Sequence, residues 1–319
     1  MAETGTDIQK AAALLRKGEV VAIPTETVYG LAGIISSEKA IRRIYEVKNR
    51  PLSDPLIVHV ASAEQMRPLI TELPPIAEKL LEAFSPGPLT LLLPKSQKVS
   101  SLITSYSARV ALRIPAHPLC LELIRQTGEA LAAPSANPFG GISPTSSAHV
   151  QTGLGKKIPY ILEGGECSVG LESTLIGILP DGKIQVLRQG GIPEEDLQLF
   201  AELHQEDSFE SRPVVPGSML SHYAPVKPLL LNPSELPEGK KMFMRFQHLL
   251  PGIAPENQRI LSASGDLREA AMNLFSTLHL LDASDADFLV AEKVPDLGLG
   301  RAINDRLKRA SAKRTFTKS

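Results

Sequence analysis

The stretch from Leu131 to Ser147, LAAPSANPFGGISPTSS, constrains the fold more than any other part of the chain. It opens with small apolar residues that suit a buried strand, then breaks at Pro134 into a loop of small and hydroxyl-bearing residues. Short side chains let a ligand approach the backbone, and Pro134, Pro138 and Pro144 reduce the entropy lost when the loop orders. N–H and hydroxyl donors at a strand end, just before a helix, suit an anionic ligand. An ordinary turn-rich connection explains the same composition equally well.

The overall composition excludes several classes of protein. The chain has 319 residues, which predicts two domains. Its 34 basic and 35 acidic side chains nearly balance, so any cationic binding site must be local. The two cysteines, Cys120 and Cys167, lack metal-like spacing, which argues against a zinc site or a disulfide scaffold. Apolar runs are too short to cross a bilayer, and the N-terminus lacks a secretory pattern. We therefore expect a cytoplasmic protein with no membrane partner.

The pattern of apolar runs divides the chain into three parts. Residues 1–204 contain many strand-like runs with fewer helical segments between them, which predicts a mixed α/β sheet with one open face. Within this part, the sequence TETVYGL predicts a turn. Residues 205–228 are rich in proline and lack periodicity, which is typical of a linker or an ordered arm. Residues 229–319 predict a small βα domain, in which GLG at residues 298–300 is interpreted as a turn because it is only half a dinucleotide fingerprint.

Several charged residues occur where the sequence alone leaves two explanations open. Lys48 and Arg50 follow a predicted helix in a loop between prolines, where they either balance the helix dipole or converge on phosphate. Arg113 lies in an apolar strand, where a charge is rarely buried without a partner. That partner is a carboxylate of the protein or of a ligand, and the residues favour neither. His59, inside another strand, is more typical of the core than of a ligand site.

The familiar catalytic motifs are absent from the sequence. It contains no Walker A sequence, no GxSxG, no HExxH and no recognisable cysteine–histidine nucleophile. What remains is a polar and cationic set at predicted strand ends and loops, namely Thr27, Lys48, Arg50, Arg113, Ser135, Asn137, Ser143, Ser173 and Arg188. Such a set suits a polyanion together with a small carboxylate, with catalysis by positioning and electrostatic stabilisation. RNA satisfies this description as well as ATP does.

Several segments together carry a resemblance to a known family. These are AIPTETVYGL, KNRPLSDPLIVH, PGPLTLLL, VALRIPAHP, APSANPFGGISPT and LESTLI, in this order and at this spacing. They resemble the YrdC-like family of L-threonylcarbamoyladenylate synthases, and PGSMLSHYAP and GLGRAINDRLKRAS are similar to its long, two-domain form. The resemblance spans residues 8–312. It implies a YrdC-like mixed twisted sheet with an open concave face in residues 1–204, and a small Rossmann-like βα domain in residues 229–319.

The resemblance also implies a reaction. Members of the family make threonylcarbamoyl-AMP and pyrophosphate from L-threonine, bicarbonate or CO₂, and ATP with Mg²⁺. Partner proteins then transfer the threonylcarbamoyl group to an adenosine of tRNA. No residue of this chain is implied as a metal ligand, and none is an obvious general base.

The family's motifs map onto individual residues of this chain. The implied ATP contacts are Lys48, Arg50, Asp54, Arg109, Ser135, Asn137, Ser143, Arg188 and Tyr223, and the implied threonine contacts are Thr27, His59, Arg113, Ala133 and Ser173. Lys48 and Arg50 are also the expected catalytic residues. For Arg113, the resemblance favours a ligand carboxylate over a protein one.

Three positions depart from the family's usual pattern. Asp54 stands where the family usually has Asn, and Arg109 replaces a usual Thr. Met219 replaces a usual Lys in the arm, which leaves Tyr223 and packing as the arm's expected contribution.

The main alternative is a non-catalytic module that binds double-stranded RNA or tRNA. A basic C-terminal helix favours it, with Arg301, Arg306, Lys308, Arg309, Lys313 and Arg314. An aromatic content of 4% without tryptophan is poor for base stacking. A net charge of −1 is poor for binding that relies on phosphate contacts. We therefore expect RNA contact to be secondary. A purely regulatory scaffold would require an inert first domain.

Overall fold

Short apolar runs that end at proline or glycine form the strands of a large mixed sheet. The computed structural model describes residues 1–204 and 223–312. Within these ranges, the strands of the first sheet are β1 (Glu3–Gly5), β2 (Val21–Ile23), β3 (Gly30–Ile34), β4 (Ile57–His59), β5 (Leu89–Pro94), β6 (Arg109–Arg113), β7 (Leu131–Ala132), β8 (Tyr160–Leu162), β9 (Thr174–Ile178) and β10 (Ile184–Arg188). Their order is β1-β8-β2-β3-β7-β4-β6-β5-β9-β10, with parallel and antiparallel pairs. The predicted mixed sheet is confirmed.

Polar caps fix the starts of several helices of the first domain. The helices are α1 (Ile8–Arg16), α2 (Glu38–Lys48), α3 (Ala63–Met66), α4 (Pro75–Phe84), α5 (Pro118–Thr127), α6 (Ser147–Leu154) and α7 (Glu194–Gln198), with a 3-10 turn at Arg67–Leu69. Asp7 accepts a hydrogen bond from the backbone N of Lys10 at 2.9 Å, and Ser37 accepts one from the backbone N of Ala40 at 3.2 Å. Each cap satisfies an N–H group that has no partner within its helix.

The first sheet has helices on both faces near β2, but one face stays open further along. Val21 and Ile23 pack with residues of α1 and α5, whereas Val20 and Ala22 face a core that includes α2 and α4. This follows from the two-residue period of a strand. Towards β4, β6 and β5, the face shared with Ile23 carries only a small apolar cluster. That part of the face is where a ligand has room.

The second domain is a separate parallel sheet covered by two long helices. Its strands are β11 (Leu229–Leu231), β12 (Lys241–Arg245), β13 (Gln258–Ile260) and β14 (Phe288–Ala291), and its helices are α8 (Leu267–Asp282) and α9 (Leu299–Ala310), with a 3-10 turn at Pro255–Asn257. The strand order is β11-β14-β12-β13, all parallel. Asp266 caps α8 through the backbone N–H groups of Arg268 and Glu269.

Parts of the fold differ from the sequence prediction. β1, β3 and α7 were not predicted, and the turn in TETVYGL leads directly into β3. The segment GLAGI of β3 is poor in β-formers, but a Cβ on Gly33 would lie 3.1 Å from Cβ of Ala40, so glycine allows α2 to pack closely. The interpretation of residues 298–300 as a turn holds for Gly298 only, because α9 begins at Leu299. Gly298 caps α9 with φ +52°, and a Cβ on Gly300 would lie 1.9 Å from the carbonyl oxygen of Pro295.

Other predictions fall outside the described residues. These include most of the arm, with Met219, and the last residues of the basic helix, Lys313 and Arg314. In the ranges that the structure covers, no helix has the length and apolar character needed to cross a bilayer.

The two domains share apolar contacts. Val28, Ile142 and Leu171 of the first domain join the core that α8 and α9 form. Gly170, with φ +73°, lies where the backbone of α8 passes, because a Cβ there would be 2.5 Å from the carbonyl oxygen of Ala271. The absence of a side chain at this position therefore permits the close domain contact.

This close approach predicts a large effect of Gly170→Ala. Both Gly170→Ala and Gly128→Ala place a side chain at positive φ, which costs about 1–2 kcal/mol. A Cβ on Gly128 meets nothing within 4 Å, so Gly128→Ala is a matched control for the backbone term. We expect Gly170→Ala to lower the free energy of unfolding by about 2 kcal/mol more than the control does. Equal losses in chemical denaturation would contradict the close contact.

Candidate active site

The open face of the first sheet gathers polar side chains from neighbouring strands. His59 and Arg113 are register partners at the ends of β4 and β6, and Ile57 and Ala111 pair two residues earlier. Because alternate residues share a face, these four side chains lie on the same side of the sheet. The cavity over this face is lined by Thr25, Thr27, Val28, Gly30, Arg50, Ile57, His59, Arg113, Ala133, Pro134, Ser135, Glu172, Ser173, Arg188 and Tyr223.

Arg113 is held in place by groups of the first domain. Its Nη2 lies 2.7 Å from Oε1 of Glu26, its Nη1 donates to Oγ1 of Thr27 at 2.8 Å, and its Nε donates to the carbonyl oxygen of Gly87 at 3.2 Å. The side chain is only 4% exposed. Of the two partners that the residues left open, the structure therefore contains the protein carboxylate. A guanidinium carries five N–H groups, so these contacts leave donors for a ligand as well.

His59 stands beside Arg113 as a neutral imidazole. Burial, with the nearby Arg113 guanidinium as a second cause, lowers the pKa of His59 to about 3. Within the described part of the chain, its Nδ1 is buried with no hydrogen-bond partner. A buried polar atom of this kind is rare unless a ligand or water satisfies it. His59 also lines the cavity.

Ser173 and Arg188 form a second polar group at the same edge. Oγ of Ser173 lies 2.6 Å from Oγ1 of Thr90. Nη2 of Arg188 donates to the carbonyl oxygen and to Oγ of Ser173, at 2.8 and 3.0 Å. Since β9 starts at Thr174 and β10 ends at Arg188, the antiparallel pair brings the two side chains together.

Two buried basic side chains come from the end of α2 and the loop after it: Lys48 is the last residue of the helix and does not follow it as predicted, whereas Arg50 lies in the loop. Nζ of Lys48 donates to the carbonyl oxygens of Ser135 and Asn137, each at 2.5 Å. Nη2 of Arg50 lies 2.9 Å from Oδ1 of Asp54. Burial is the main reason that the pKa of Lys48 lies well below its usual value, and the charge of Arg50 lowers it further. Burial also raises the pKa of Asp54, while Arg50 opposes this shift. An anionic ligand would favour the charged form of Lys48.

Most of the predicted site residues lie at the cavity or directly behind its wall. Thr27, Arg50, His59, Arg113, Ala133, Ser135, Ser173, Arg188 and Tyr223 line it. Three further predicted residues contact lining residues: Lys48 bonds Ser135, Asp54 pairs with Arg50, and Ser143 bonds Glu172. Asn137 lies one contact further away, because its carbonyl oxygen accepts a hydrogen bond from Lys48. Tyr223 is buried with φ +64°, a backbone conformation that is costly for tyrosine and clusters at functional sites.

Arg109 is the exception among the predicted residues. It starts β6, whereas Arg113 ends it, and it lines a different depression with residues such as Glu72 and Lys79. The structure therefore does not group Arg109 with the other site residues.

Three charged residues of the site were not predicted. Glu26 pairs with Arg113, and Glu172 accepts a hydrogen bond from Oγ of Ser143 at 2.6 Å and pairs with Arg306 of α9. Glu26 and Glu172 lie in the sequence segments TETVYGL and LESTLI, but these segments do not show which cation each carboxylate pairs with. For Arg306 a signal was available, because it interrupts the apolar stripe of Ala302, Ile303 and Leu307.

One carboxylate near the cavity, that of Asp54, suits a metal ion that is bound together with a nucleotide. In the described ranges, no three His, Cys, Asp or Glu side chains form a metal-binding group. Asp54 nevertheless has a buried Oδ2 without a hydrogen-bond partner in the part of the chain that the structure covers. Mg²⁺ bound to ATP takes most of its ligands from phosphates and water and needs only one or two carboxylates. Asp54 fits that requirement.

Comparison with known proteins places the chain in a family. A family model described as "Telomere recombination" (Sua5, YciO and YrdC) matches residues 13–190, and one described as "Threonylcarbamoyl-AMP synthase, C-terminal domain" matches residues 189–312. The chain belongs to the Sua5–YciO–YrdC family. A threonylcarbamoyl-AMP synthase of Pyrococcus abyssi is 39% identical, over 96% of this chain and 94% of that protein.

A solved structure of this family supports the same assignment. The crystal structure of P. abyssi Sua5 complexed with L-threonine matches with a TM-score of 0.85 and 37% identity, covering 95% of this chain and 94% of that one. The family also has short members. A threonylcarbamoyl-AMP synthase of Vibrio vulnificus is 35% identical, but it matches 58% of this chain and 99% of its own length. This chain therefore has the long, two-domain form that the sequence predicted.

A half-buried pair of histidines, one from each domain, lies where α6 meets α8. His149 and His279 stack with ring centroids 3.9 Å apart, and Nε2 of His279 lies 3.2 Å from the carbonyl oxygen of Ser143. Burial, and then the neighbouring His149, lowers the pKa of His279 to about 4. An unfolded chain protonates a histidine below about pH 6.5. Unfolding therefore takes up a proton between these values, and stability falls as the pH decreases through this window.

This proton uptake predicts a shallower acid dependence for His279→Gln, which keeps an N–H donor for Ser143. Between pH 6.5 and about 4, we expect its free energy of unfolding to fall less steeply than that of the wild type, by at most about 1.4 kcal/mol per pH unit. Above this window the two slopes should be equal. The buried His59 contributes equally to both proteins and cancels in the comparison. Urea unfolding across this pH range measures the slopes, and identical acid slopes would contradict a neutral His279.

Proposed function

We propose that this chain synthesises threonylcarbamoyl-AMP and pyrophosphate from L-threonine, bicarbonate or CO₂, and ATP. The relatives that match nearly the whole chain carry the name of this activity, and P. abyssi Sua5 has been solved with L-threonine. The observation on which the proposal depends is that Arg113, Thr27 and His59 share one cavity with Arg50 and Arg188. The part of the cavity around Arg113, Thr27 and His59, the threonine half, thus suits an amino acid. The part around Arg50 and Arg188, the nucleotide half, suits a polyphosphate.

The threonine half of the cavity uses Arg113, Thr27, His59, Ala133 and Ser173. A guanidinium binds a carboxylate through two parallel N–H groups, so Arg113 receives the threonine carboxylate. Thr27 or Ser173 bonds the substrate hydroxyl, and the small Ala133 leaves room for the substrate. His59 stays neutral at physiological pH and therefore offers a polar edge without repelling the amino group.

The nucleotide half uses the buried cations and the loop from Leu131 to Ser147. Lys48, Arg50 and Arg188 face the phosphates, while Ser135, Asn137, Ser143 and Tyr223 bind the rest of the nucleotide. Nδ2 of Asn137 donates to the carbonyl oxygens of Pro138 and Gly141, at 2.9 and 2.8 Å, and so holds the loop in shape. Preorganised donors of this kind stabilise charge that develops during reaction.

The chemistry is a nucleotidyl transfer. The threonine amine, as the free base, attacks the carbon of CO₂, whose C=O π electrons move to oxygen, and the nitrogen loses a proton to give a carbamate; with bicarbonate the same carbamate forms with loss of water. A carbamate oxygen then attacks the α-phosphorus of ATP. The bond from the α-phosphorus to the bridging oxygen breaks, and the electron pair leaves with pyrophosphate. Lys48 and Arg50 stabilise the charge on the phosphates, with help from Mg²⁺ when it is bound with ATP. Downstream proteins would transfer the product to tRNA.

Product analysis tests this function directly. The purified protein is incubated with ATP, Mg²⁺, bicarbonate and L-threonine, and a matched mixture lacks threonine. We expect mass spectrometry to find a threonylcarbamoyl adenylate and pyrophosphate only in the complete mixture. Folded protein that binds ATP but makes neither product would contradict the proposal.

The RNA-binding alternative loses support from the basic helix. Arg306 of α9 is fully buried, and Arg309 pairs with Asp305 at 3.0 Å. These cations act within the protein instead of forming a solvated basic face. The relatives and the threonine complex also favour the catalytic interpretation.

The assignment of Arg113 predicts a split between the two Michaelis constants. Arg113→Ala should raise the threonine KM by about a hundredfold and the ATP KM much less, because a charged hydrogen bond contributes about 1.5–3 kcal/mol. Steady-state kinetics with each substrate varied in turn measures both constants. Equal increases would contradict the carboxylate assignment.

Arg109→Ala provides a companion variant on the same strand. Since Arg109 lines a different depression, we expect both Michaelis constants to stay near the wild-type values. A large rise in the ATP KM would instead support the nucleotide contact that the family resemblance implies.

A further inference from the structure

One side chain of the second domain reaches the cavity wall from behind. Arg306 of α9 is fully buried and does not itself line the cavity. Its Nε donates to Oε2 of Glu172 at 2.8 Å, its Nη2 to the carbonyl oxygen of Gln189 at 2.7 Å, and its Nη1 to Oδ2 of Asp305 at 2.7 Å. Glu172 and Gln189 belong to the first domain, and Glu172 is a lining residue. The guanidinium thus ties the two domains together at the cavity.

The same guanidinium also contacts Tyr223. Cζ of Arg306 lies 4.8 Å from the centroid of the Tyr223 ring, within the range of a cation–π interaction. The ring of Tyr223 also packs against the ring of Phe275 in α8, and the two ring centroids are 5.6 Å apart. Tyr223 lines the cavity and has a left-handed backbone, so it needs surrounding contacts to hold it. The described contacts of its ring come from the second domain.

Ser143 depends on the second domain through two contacts. Its Oγ donates to Oε1 of Glu172 at 2.6 Å, and the other oxygen of that carboxylate accepts from Arg306. Its carbonyl oxygen lies 3.2 Å from Nε2 of His279 in α8. The position of Ser143 is therefore set by groups that the second domain holds or supplies.

Arg113, the proposed carboxylate-binding residue of the threonine half, does not depend on the second domain in this way. Its ion-pair and hydrogen-bond partners in the described residues are Glu26, Thr27 and Gly87, all from the first domain. Disturbing Arg306 should therefore affect one half of the cavity and spare the other.

We propose that Arg306 is a positioning residue for the nucleotide half of the site, holding Glu172 and Tyr223 directly and Ser143 through Glu172. The proposal rests on the proposed function, which gives Tyr223 and Ser143 their nucleotide role. Arg306 touches no reacting atom and acts only through the residues that it holds. The short relative from V. vulnificus matches 58% of this chain over 99% of its own length and is also named a threonylcarbamoyl-AMP synthase. The second domain thus supports a site whose chemistry belongs to the first.

Kinetics of three variants test the proposal. Arg306→Gln should raise the ATP KM about tenfold or more, since small misplacements of binding groups are costly, and should leave the threonine KM nearly unchanged. Arg306→Lys keeps the charge but lacks the planar fork, so it should restore only part of the affinity. Arg301→Gln is the matched control. Arg301 pairs with Glu195 at 2.6 Å across the same two domains, but both side chains are partly exposed and neither lines the cavity.

A second variant covers the case in which Arg306→Gln does not fold, because that change leaves the buried Glu172 carboxylate unpaired. The double variant Glu172→Gln with Arg306→Met removes both charges together. If neither this variant nor Arg306→Gln folds, the kinetics of Arg306→Lys test the proposal. Calorimetric titration with ATP alone measures binding without any product. Wild-type ATP affinity in a folded Arg306 variant overturns the proposal, as does equal weakening by Arg301→Gln. Wild-type protein that binds ATP but forms no threonylcarbamoyl-AMP contradicts the proposed function instead.

Discussion

Burial of four cations around one cavity is the constraint on which the rest of the site depends. Lys48, Arg50, Arg113 and Arg188 are between 1% and 8% exposed. Taking such charges out of water is expensive unless each one finds partners. The chain meets this requirement in two ways, with carboxylates for Arg50 and Arg113 and with backbone carbonyls for Lys48 and Arg188. Asn137 follows β7, whereas Asp54 and Ser173 precede β4 and β9, so loops at both ends of strands supply these oxygens.

The two kinds of partner have different electrostatic consequences. A carboxylate balances the charge of its cation, whereas a carbonyl orients the cation without cancelling its charge. The threonine half, with Glu26 beside Arg113, is therefore electrically balanced, which suits a zwitterion. In the nucleotide half, Nζ of Lys48 donates to backbone carbonyls, so its charge, when Lys48 is protonated, is available to a polyphosphate. The same division explains why an anion entering the nucleotide half would shift Lys48 towards its charged form.

The sequence predicted the parts of the structure that depend on local patterns. Apolar runs predicted a mixed sheet in the first part of the chain and a small βα domain in the last, and both are present. It also identified the cations and hydroxyls that meet at the cavity. It missed β1, which pairs with β8 more than 150 residues away, since three residues carry no periodic signal of their own. It also missed the partners of the cations, because Glu26 and Arg113 are 87 positions apart and meet only when the sheet forms.

Arg306 shows how a correct local prediction can lead to a wrong interpretation. The basic character of α9 suggested a surface for RNA, because most charges on a helix point to solvent. Arg306 instead lies on the apolar stripe of the helix, where a charge must be buried and paired. Its partner, Glu172, lies more than 130 residues earlier, on the other domain. Periodicity could have shown that Arg306 faces inward, but only the domain arrangement shows what it meets.

Asp54 follows the same logic of charge balance. Where the family usually has Asn, this chain has a carboxylate 2.9 Å from Arg50, and both side chains are almost fully buried. An amide would leave the charge of Arg50 unbalanced and available to phosphate. The carboxylate instead balances it and leaves a buried oxygen, Oδ2, facing no donor in the described residues. Under the proposed function, Mg²⁺ bound with ATP is the cation that would satisfy this oxygen, and the departure at Asp54 would then exchange direct phosphate attraction for attraction to that metal.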